Sequence, residues 1–158
     1  MFAFTAEASD VAAPRGWRFP TDADHSDGWV EYRDEFPIRF HVRGDFDGDG
    51  IVDDAWLLIR DAGKGCGLFV FLGRPGGRPR VIELFSDHES RTQSYALALV
   101  QPGTHTTLCG RGAECPPGDP KSVTLKHPGF EFITLGKASG LYYWSPSAKR
   151  FRSVTVAD

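Results

Sequence analysis

The residues of this chain whose types and spacing most clearly point to chemistry are the aspartates of one short segment. They are Asp45, Asp47, Asp49, Asp53 and Asp54, all within ten residues. Two unit charges about 4 Å apart repel by ~4 kcal/mol in a partly protein-like dielectric, so a tight acidic loop favours a bound cation. Calcium, which takes about six to eight oxygen ligands at ~2.3–2.6 Å, is the usual one. The segment therefore predicts a calcium loop, with a metal-free Asp/Gly-rich hairpin turn as the alternative.

The order of residues in this segment fits a calcium-binding loop that begins at Asp45. The predicted ligands are the side chains of Asp45, Asp47 and Asp49, the backbone carbonyl of Ile51, and the carboxylate of Asp53, which binds directly or through water. Gly50 occupies the sixth position, where such a loop turns sharply and favours a residue that accepts positive φ. The twelfth position holds Trp56 instead of the glutamate of an EF-hand, and the apolar residues 55–60 predict a strand. The sequence thus favours a calcium loop between two strands.

The stretch from Arg43 to Leu57 resembles the calcium loop of FG-GAP and VCBS-type repeats, which carry D-x-D-x-D-G-x-x-D between two β-strands. The similarity covers about twenty of the 158 residues and occurs once, whereas a propeller needs several such blades. The remainder is similar to small bacterial exported proteins with one such loop, some of which are immunity proteins or inhibitors of cell-wall-degrading toxins. The resemblance implies a partner protein, such as a cell-wall-degrading effector.

Composition and charge restrict the class of protein. The 158 residues suit one domain, and 41% hydrophobic residues are enough for a core. The net charge of −3 argues against a nucleic-acid-binding surface, which would be basic, and the longest apolar stretches are too short for a transmembrane helix. Residues 1–20 show no signal peptide, so the chain is either cytosolic or a mature form without its leader. Because calcium is plentiful outside the cytoplasm, we expect a periplasmic or extracellular protein.

Two of the three cysteines are placed to form a disulfide. Cys109 and Cys115 flank a short Gly-rich loop, and closing it by a disulfide would fit an oxidising compartment. A zinc site that recruits His105 and His127 is the alternative, although the chain lacks a CxxC pair. Cys66 opens an apolar strand and is expected to be a buried, unpaired thiol.

Short apolar segments alternate with Gly- and Pro-rich turns along most of the chain, a pattern typical of β-sheets. Residues 1–16 are expected to form a flexible N-terminal segment and residues 17–158 a single calcium-binding β domain. A short helix is predicted over residues 29–36. About nine or ten strands follow, and those within residues 38–85 predict a four-stranded antiparallel meander. We expect an all-β, mainly antiparallel fold, either a sandwich or propeller-like sheets, with one short N-terminal helix.

Outside the acidic loop the sequence shows no grouping typical of a catalytic site, so we expect a protein that is not an enzyme. General acid–base catalysis needs a carboxyl that an apolar setting keeps protonated, and the sequence indicates no such setting for Glu83 or Glu131. Both are therefore expected on the solvated face of a sheet. His41 is expected to be a half-buried strand residue. The five histidines are scattered, and none has a metal-binding spacing or a nucleophile beside it.

The final hairpin is the candidate surface for a partner. Strand alternation requires that Tyr142 or Tyr143 points outward, and surface tyrosines are frequent at interfaces. The predicted partner-binding residues are Tyr143, Lys149, Arg150 and Arg152, whose cations either complement an acidic cleft or keep a sheet edge soluble. With the resemblance, they indicate a non-catalytic calcium-binding protein that binds and inhibits another protein. The alternatives are a carbohydrate- or cell-wall-binding module and a calcium-stabilised hydrolase.

Overall fold

Short antiparallel strands make up most of the regular structure. The computed structural model describes residues 11–24, 31, 34, 39–62, 64–88 and 94–158. The strands within these ranges are β1 (Trp17–Arg18), β2 (His41–Gly44), β3 (Asp53–Arg60), β4 (Cys66–Leu72), β5 (Arg80–Ser86), β6 (Tyr95–Val100), β7 (Gly103–Thr106), β8 (Ser122–Leu125), β9 (Gly129–Thr134), β10 (Ala138–Ser145) and β11 (Arg150–Ala157). The described ranges also contain two complete 3-10 helices of three residues each, Asp22–Asp24 and Cys109–Arg111.

The first sheet is built around β3, which has neighbours along both of its edges. On one edge β3 pairs antiparallel with β4, and β5 pairs antiparallel with β4 in turn. Two strands share the other edge: Gly44 of β2 lies opposite Asp53 at one end, and Trp17 of β1 lies opposite Arg60 at the other. Strands β2 to β5 therefore form the antiparallel meander that the sequence predicts.

The second sheet has the strand order β11-β10-β9-β6, and each pair in it is antiparallel. Strands β9, β10 and β11 follow one another along the chain as hairpins. A backbone bridge joins the two sheets, because Arg39 and Leu97 exchange N–H to carbonyl hydrogen bonds of 2.7 and 2.6 Å. Strands β7 and β8 form a separate two-stranded ribbon.

The two sheets enclose one apolar core, which makes the fold a β-sandwich. Every residue of β4 is buried, as expected for a strand whose two faces are both covered. The core combines buried side chains from both sheets, among them Leu57, Leu68, Val70, Leu97 and Phe130. Ring contacts cross the gap between the sheets, for example that of Phe85 with Phe132 at 5.2 Å.

The outer faces of both sheets are covered as well. On the first sheet, Leu58, Phe69 and Phe71 form a second cluster, against which the side chains of Trp17 and Phe19 pack. Val11 and Ala13 also pack there. On the second sheet, the β7–β8 ribbon covers part of the outer face by placing Val123 and Leu125 against Leu141, Val154 and Val156.

The prediction of an all-β, mainly antiparallel fold is confirmed. The helix expected over residues 29–36 falls mostly on residues outside the described ranges, and no complete helix is described there. Of those residues only Glu31 and Asp34 are described, and both are exposed and in helical conformation. Strand β3 begins two residues earlier than predicted, so Asp53 belongs to a strand and its side chain is buried.

Candidate functional site

The acidic loop spans residues 45–52, between the end of β2 and the start of β3. The antiparallel pairing of Gly44 with Asp53 closes it. Phe46 anchors it from inside, because its side chain is only 1% exposed and its ring lies 5.2 Å from that of Phe130. The loop therefore projects from the rim of the sandwich with one residue fixed in the core.

Hydrogen bonds between the aspartates and the backbone of the loop hold its shape. Asp45 accepts the N–H groups of Gly48 and Gly50 at 2.8 and 2.9 Å. Asp49 accepts the N–H of Ile51 at 2.8 Å, and Asp47 accepts that of Asp49 at 3.2 Å. Gly50 has a φ of 87°, in the region that glycine adopts at least cost. The turn expected at the sixth position is therefore present.

Three of the predicted ligands come together. One carboxylate oxygen from each of Asp45, Asp47 and Asp49 lies within 4.8 Å of the other two. Two oxygens on opposite sides of a calcium ion are about 5 Å apart, since each lies ~2.3–2.6 Å from the metal. The three side chains can therefore bind one metal ion at the same time. Burial, together with the charges of Asp49 and Asp45, raises the pKa of Asp47, and a bound cation would offset that rise.

Asp53 has a different role from the three clustered aspartates. Its side chain is buried, and its two oxygens accept the N–H groups of Phe46 and Gly73 at 2.7 and 2.8 Å. Burial raises its pKa to about 6. Asp53 thus fixes the loop to the turn after β4. Ile51 packs beside the same turn, because a Cβ on Gly73 would lie 2.5 Å from its Cγ2.

His127 also borders the loop, although in the sequence it appeared only as a possible zinc ligand. A Cβ on Gly48 would lie 2.3 Å from its Nε2, so the imidazole rests directly on the loop backbone. His127 also lines a cleft of about 240 Å³ with Phe46, Tyr143 and Trp144. The sequence carries no signal for this contact, because 79 residues separate the two positions.

The structure joins Cys109 and Cys115 in a disulfide, with 5.3 Å between their Cα atoms. Both thiols are therefore unavailable to zinc, whereas Cys66 is buried and takes no part in the disulfide. The segment around the disulfide is tied to β11, because Leu108 N–H donates to the carbonyl of Thr155 at 2.9 Å.

Three of the four predicted partner-binding residues line one open cleft of about 390 Å³. These are Tyr143, Arg150 and Arg152, and the opposite wall is the segment 118–120. Tyr143 and Arg152 are direct neighbours on β10 and β11. Tyr143 is half-buried and packs against the cluster beneath the ribbon, whereas Tyr142 and Trp144 pack against the core between the sheets. Lys149 is exposed in the hairpin turn, with a φ of 49°.

A second polar cluster, which the sequence did not indicate, lies on the outer face of the first sheet. Asp54 Oδ1 is 2.5 Å from His41 Nε2 and 3.1 Å from Arg43 Nε. The His41 ring stacks on Trp56 at 3.9 Å. A histidine oriented by a carboxylate is part of a hydrolytic triad, but among the described residues no hydroxyl or thiol is hydrogen-bonded to His41. His41 is half-buried on a strand and Glu83 is exposed, whereas Glu131 is half-buried.

No protein-family model, curated protein or solved structure matches this chain. Within the described residues, no helix has the length and apolar character needed to cross a membrane.

Proposed function

We propose that this chain is a non-catalytic calcium-binding protein that works in the periplasm or outside the cell, where it binds and inhibits a partner protein. The observation that carries the calcium part is the cluster of Asp45, Asp47 and Asp49, whose ligand oxygens lie within 4.8 Å of one another. The hydrogen bonds that bend the loop around this cluster support the same assignment.

Calcium is the ion that this set of ligands suits best. All three side chains offer hard oxygen atoms, which calcium prefers, and the cluster includes no nitrogen or sulfur ligand. Magnesium usually keeps several waters and binds few protein carboxylates. In this proposal the carbonyl of Ile51 and water complete the coordination, and Asp53 contributes through water because backbone N–H groups already use its two oxygens.

The proposed ion would act first on stability and rigidity. A metal that binds the folded form preferentially stabilises that form by mass action. The effect would spread from the loop along two contacts, the buried ring of Phe46 and the bond from Gly73 to Asp53. Binding surfaces beside the loop, including the cleft with His127, would be fixed at the same time.

The cleft beside the final hairpin supports the protein-binding part of the proposal. Tyr143 presents an aromatic edge between two clefts, and Arg150 and Arg152 add positive charge to one of them. Tyrosine and arginine are enriched where binding energy concentrates at protein interfaces. The identity of the partner as a secreted antibacterial toxin or cell-wall hydrolase, which would make this chain an immunity protein, rests on the FG-GAP-like resemblance of the loop.

The disulfide supports a location outside the cytoplasm. Disulfides persist in oxidising compartments and are rare where thiol reductants are abundant. The Cys109–Cys115 pair encloses a short exposed loop. A location where calcium is plentiful agrees with the same proposal.

Capture of partners with and without calcium tests this function. The chain is immobilised and exposed to extract of the source organism with calcium or with a chelator, beside an Asp49→Asn variant as the matched control. We expect one protein to be retained by the original chain in calcium and lost in chelator. We expect its hydrolytic activity to fall when the chain is added. Equal retention of the partner in calcium, in chelator and by Asp49→Asn would refute the calcium-dependent part of the proposal. If no protein is retained under any condition, the proposed partner protein is refuted.

A glycan-binding module is the second candidate. The cleft of about 240 Å³ is lined by Tyr143 and Trp144, and aromatic rings of this kind also pack against apolar faces of ligands. Saturable binding to purified peptidoglycan or polysaccharide, abolished by Tyr143→Ala, would favour this candidate. Turnover of a substrate that Asp45→Ala abolishes in a folded protein would instead favour the calcium-stabilised hydrolase.

A further inference from the structure

Strand β11 forms one edge of the second sheet, since it pairs with β10 and with no other strand of the described residues. One residue shows which backbone groups point away from β10. Thr155 N–H donates to Asp119 Oδ2 at 3.0 Å, and the Thr155 carbonyl accepts the N–H of Leu108 at 2.9 Å. Both backbone groups of Thr155 therefore face the free edge of the strand, where the segment around the disulfide satisfies them.

At Ser153 and Phe151, two and four residues before Thr155, no described residue pairs with the same edge. Backbone groups repeat with a period of two along an antiparallel strand, so those of Ser153 and Phe151 point in the same direction as those of Thr155. No described residue forms a hydrogen bond with these outward-pointing N–H and carbonyl groups. With respect to the described residues, the edge therefore presents two unused N–H donors and two unused carbonyl acceptors, and Asp119 and Leu108 close it at Thr155.

A cleft and two positive charges lie beside this open edge. The cleft of about 390 Å³ includes residues 150–154 on one side and Gly118, Asp119 and Pro120 on the other. Arg150 and Arg152 are both exposed, and neither forms an ion pair with a described residue. The carboxylate of Asp119 already accepts the N–H of Thr155. Within the described part of the chain, the two guanidinium groups are thus positive charges without an ion pair at this edge.

We infer that an extended, acidic segment of the partner protein binds at this edge, as an added strand beside residues 151–153 of β11. Its backbone would form hydrogen bonds with the outward N–H and carbonyl groups of Phe151 and Ser153. Its carboxylates would form ion pairs with Arg150 and Arg152. A second copy of this chain fits less well, because a two-fold contact through this edge would bring the arginines of both copies together. This inference rests on the proposed protein-binding function and names the part of the surface that carries it.

A labelled peptide tests the inference without knowledge of the natural partner. The probe is a fluorescein-labelled heptapeptide that alternates glutamate and valine, and its counterpart carries lysine for glutamate. Binding to the full chain in calcium is followed by fluorescence anisotropy. The edge is blocked with Ser153→Pro, because proline removes an N–H that points away from β10 and leaves the β10–β11 pairing intact. Ser153→Ala is its control, since it removes the hydroxyl and keeps the N–H.

A second pair of variants tests the charges. Arg150→Gln with Arg152→Gln removes both cations at the edge, and Arg74→Gln with Arg78→Gln removes two exposed cations from the turn after β4. We expect the first pair and Ser153→Pro each to weaken binding of the acidic peptide about tenfold or more. We expect Ser153→Ala and the second pair to stay within about twofold. The amides of Phe151 and Ser153 should also exchange with solvent more slowly in the complex.

Several results would overturn the inference. They are an acidic peptide that does not bind at millimolar concentration, a lysine peptide that binds equally well, and undiminished binding by folded Ser153→Pro. Concentration-dependent dimerisation that Ser153→Pro abolishes would assign the edge to a second copy instead. If the capture experiment retains a partner that Ser153→Pro binds as tightly as the original chain does, this inference fails and the proposed function remains. If nothing is captured, the proposed function fails whatever the peptide does.

Discussion

The carboxylate of Asp53 accepts a hydrogen bond of 2.8 Å from the backbone N–H of Gly73, twenty residues further along the chain. Its other oxygen accepts the N–H of Phe46 in the acidic loop at 2.7 Å. One buried side chain therefore connects the candidate metal loop to the turn between β4 and β5. That turn and the first residue of β5 carry three exposed arginines, Arg74, Arg78 and Arg80. Order imposed on the loop by a cation is expected to extend to this turn.

Removal of one ligand charge should separate metal binding from loop structure. Asp49→Asn keeps an amide oxygen that can accept the N–H of Ile51, and it removes one of the three clustered negative charges. In chelator we expect a melting temperature equal to or above that of the original chain, because repulsion falls. Calcium at about a hundred times its dissociation constant should stabilise the original chain by ~2.7 kcal/mol, or about 5–10 °C, and the variant by much less.

The measurement is thermal unfolding in calcium and in chelator, with Asp61→Asn as a control for loss of an exposed aspartate outside the loop. Equal melting temperatures of the original chain in the two buffers would contradict the assignment of an ion to this loop.

A methyl group at Gly73 should disturb the loop from outside. A Cβ there would lie 2.5 Å from Ile51 Cγ2 and 2.7 Å from the carbonyl oxygen of Val52, so backbone must move. We expect Gly73→Ala to destabilise the chain by ~1–3 kcal/mol, the usual cost of overpacking, and to weaken calcium binding. Gly77→Ala in the same turn is the matched control, because the nearest atom to its Cβ is 3.8 Å away. Urea unfolding and calorimetry measure the two effects, and equal behaviour of both variants would refute the contact.

A thiol-reactive reagent should count one thiol per chain, because Cys109 and Cys115 are joined in a disulfide. Without reductant, only the buried thiol of Cys66 should react, and only after denaturation. Replacing Cys109 and Cys115 together with serine should cost ~2–3 kcal/mol, the size expected for closing a short loop. In this variant the backbone amide hydrogen of Leu108 should exchange with solvent faster, because Leu108 lies beside the disulfide and its N–H donates a hydrogen bond to the carbonyl of Thr155. Three reactive thiols in unreduced, denatured protein would contradict the pairing.

The N-terminal segment should contribute stability that depends on pH in the acid range. The Arg18 guanidinium hydrogen-bonds Asp24 through two contacts of 2.9 Å and lowers the pKa of that carboxyl to about 2. Because the pKa is lower in the folded state than the ordinary value of 3.8, the stabilisation is present above pH 4. It is lost as the pH falls from about 4 to 2.

The pair is only partly buried, and ion pairs near the surface contribute about 0.2–1 kcal/mol, so the change is small and needs a matched variant. Asp24→Asn should be less stable than the original chain at pH 6, and this difference should shrink as the pH falls towards 2, where the Asp24 carboxyl is about half protonated. Urea unfolding at a series of pH values measures the difference, and a gap that stays constant down to pH 2 would contradict this account.

Local patterns were sufficient to predict most of the strands and the shape of the loop. Alternation and turn residues gave the meander of residues 38–85, because each of its strands pairs with the next one along the chain. The spacing of Asp45, Asp47 and Asp49 predicted a cluster because the three lie in one turn and their own hydrogen bonds bend it. The Cys109–Cys115 pairing was visible for the same reason, since only five residues lie between the two cysteines.

The sequence by itself therefore determined the features that depend on residues close together in the chain: the fold class, the acidic turn and the disulfide. Contacts between distant segments were decided only by the tertiary structure. It buried Asp53 and hydrogen-bonded it to Gly73, placed His127 on the loop backbone, and left the edge of β11 beside Arg150 and Arg152 without a pairing strand among the described residues. The physical reason is that burial and sheet edges depend on which strands pack together, and a local pattern of residue types does not encode that choice.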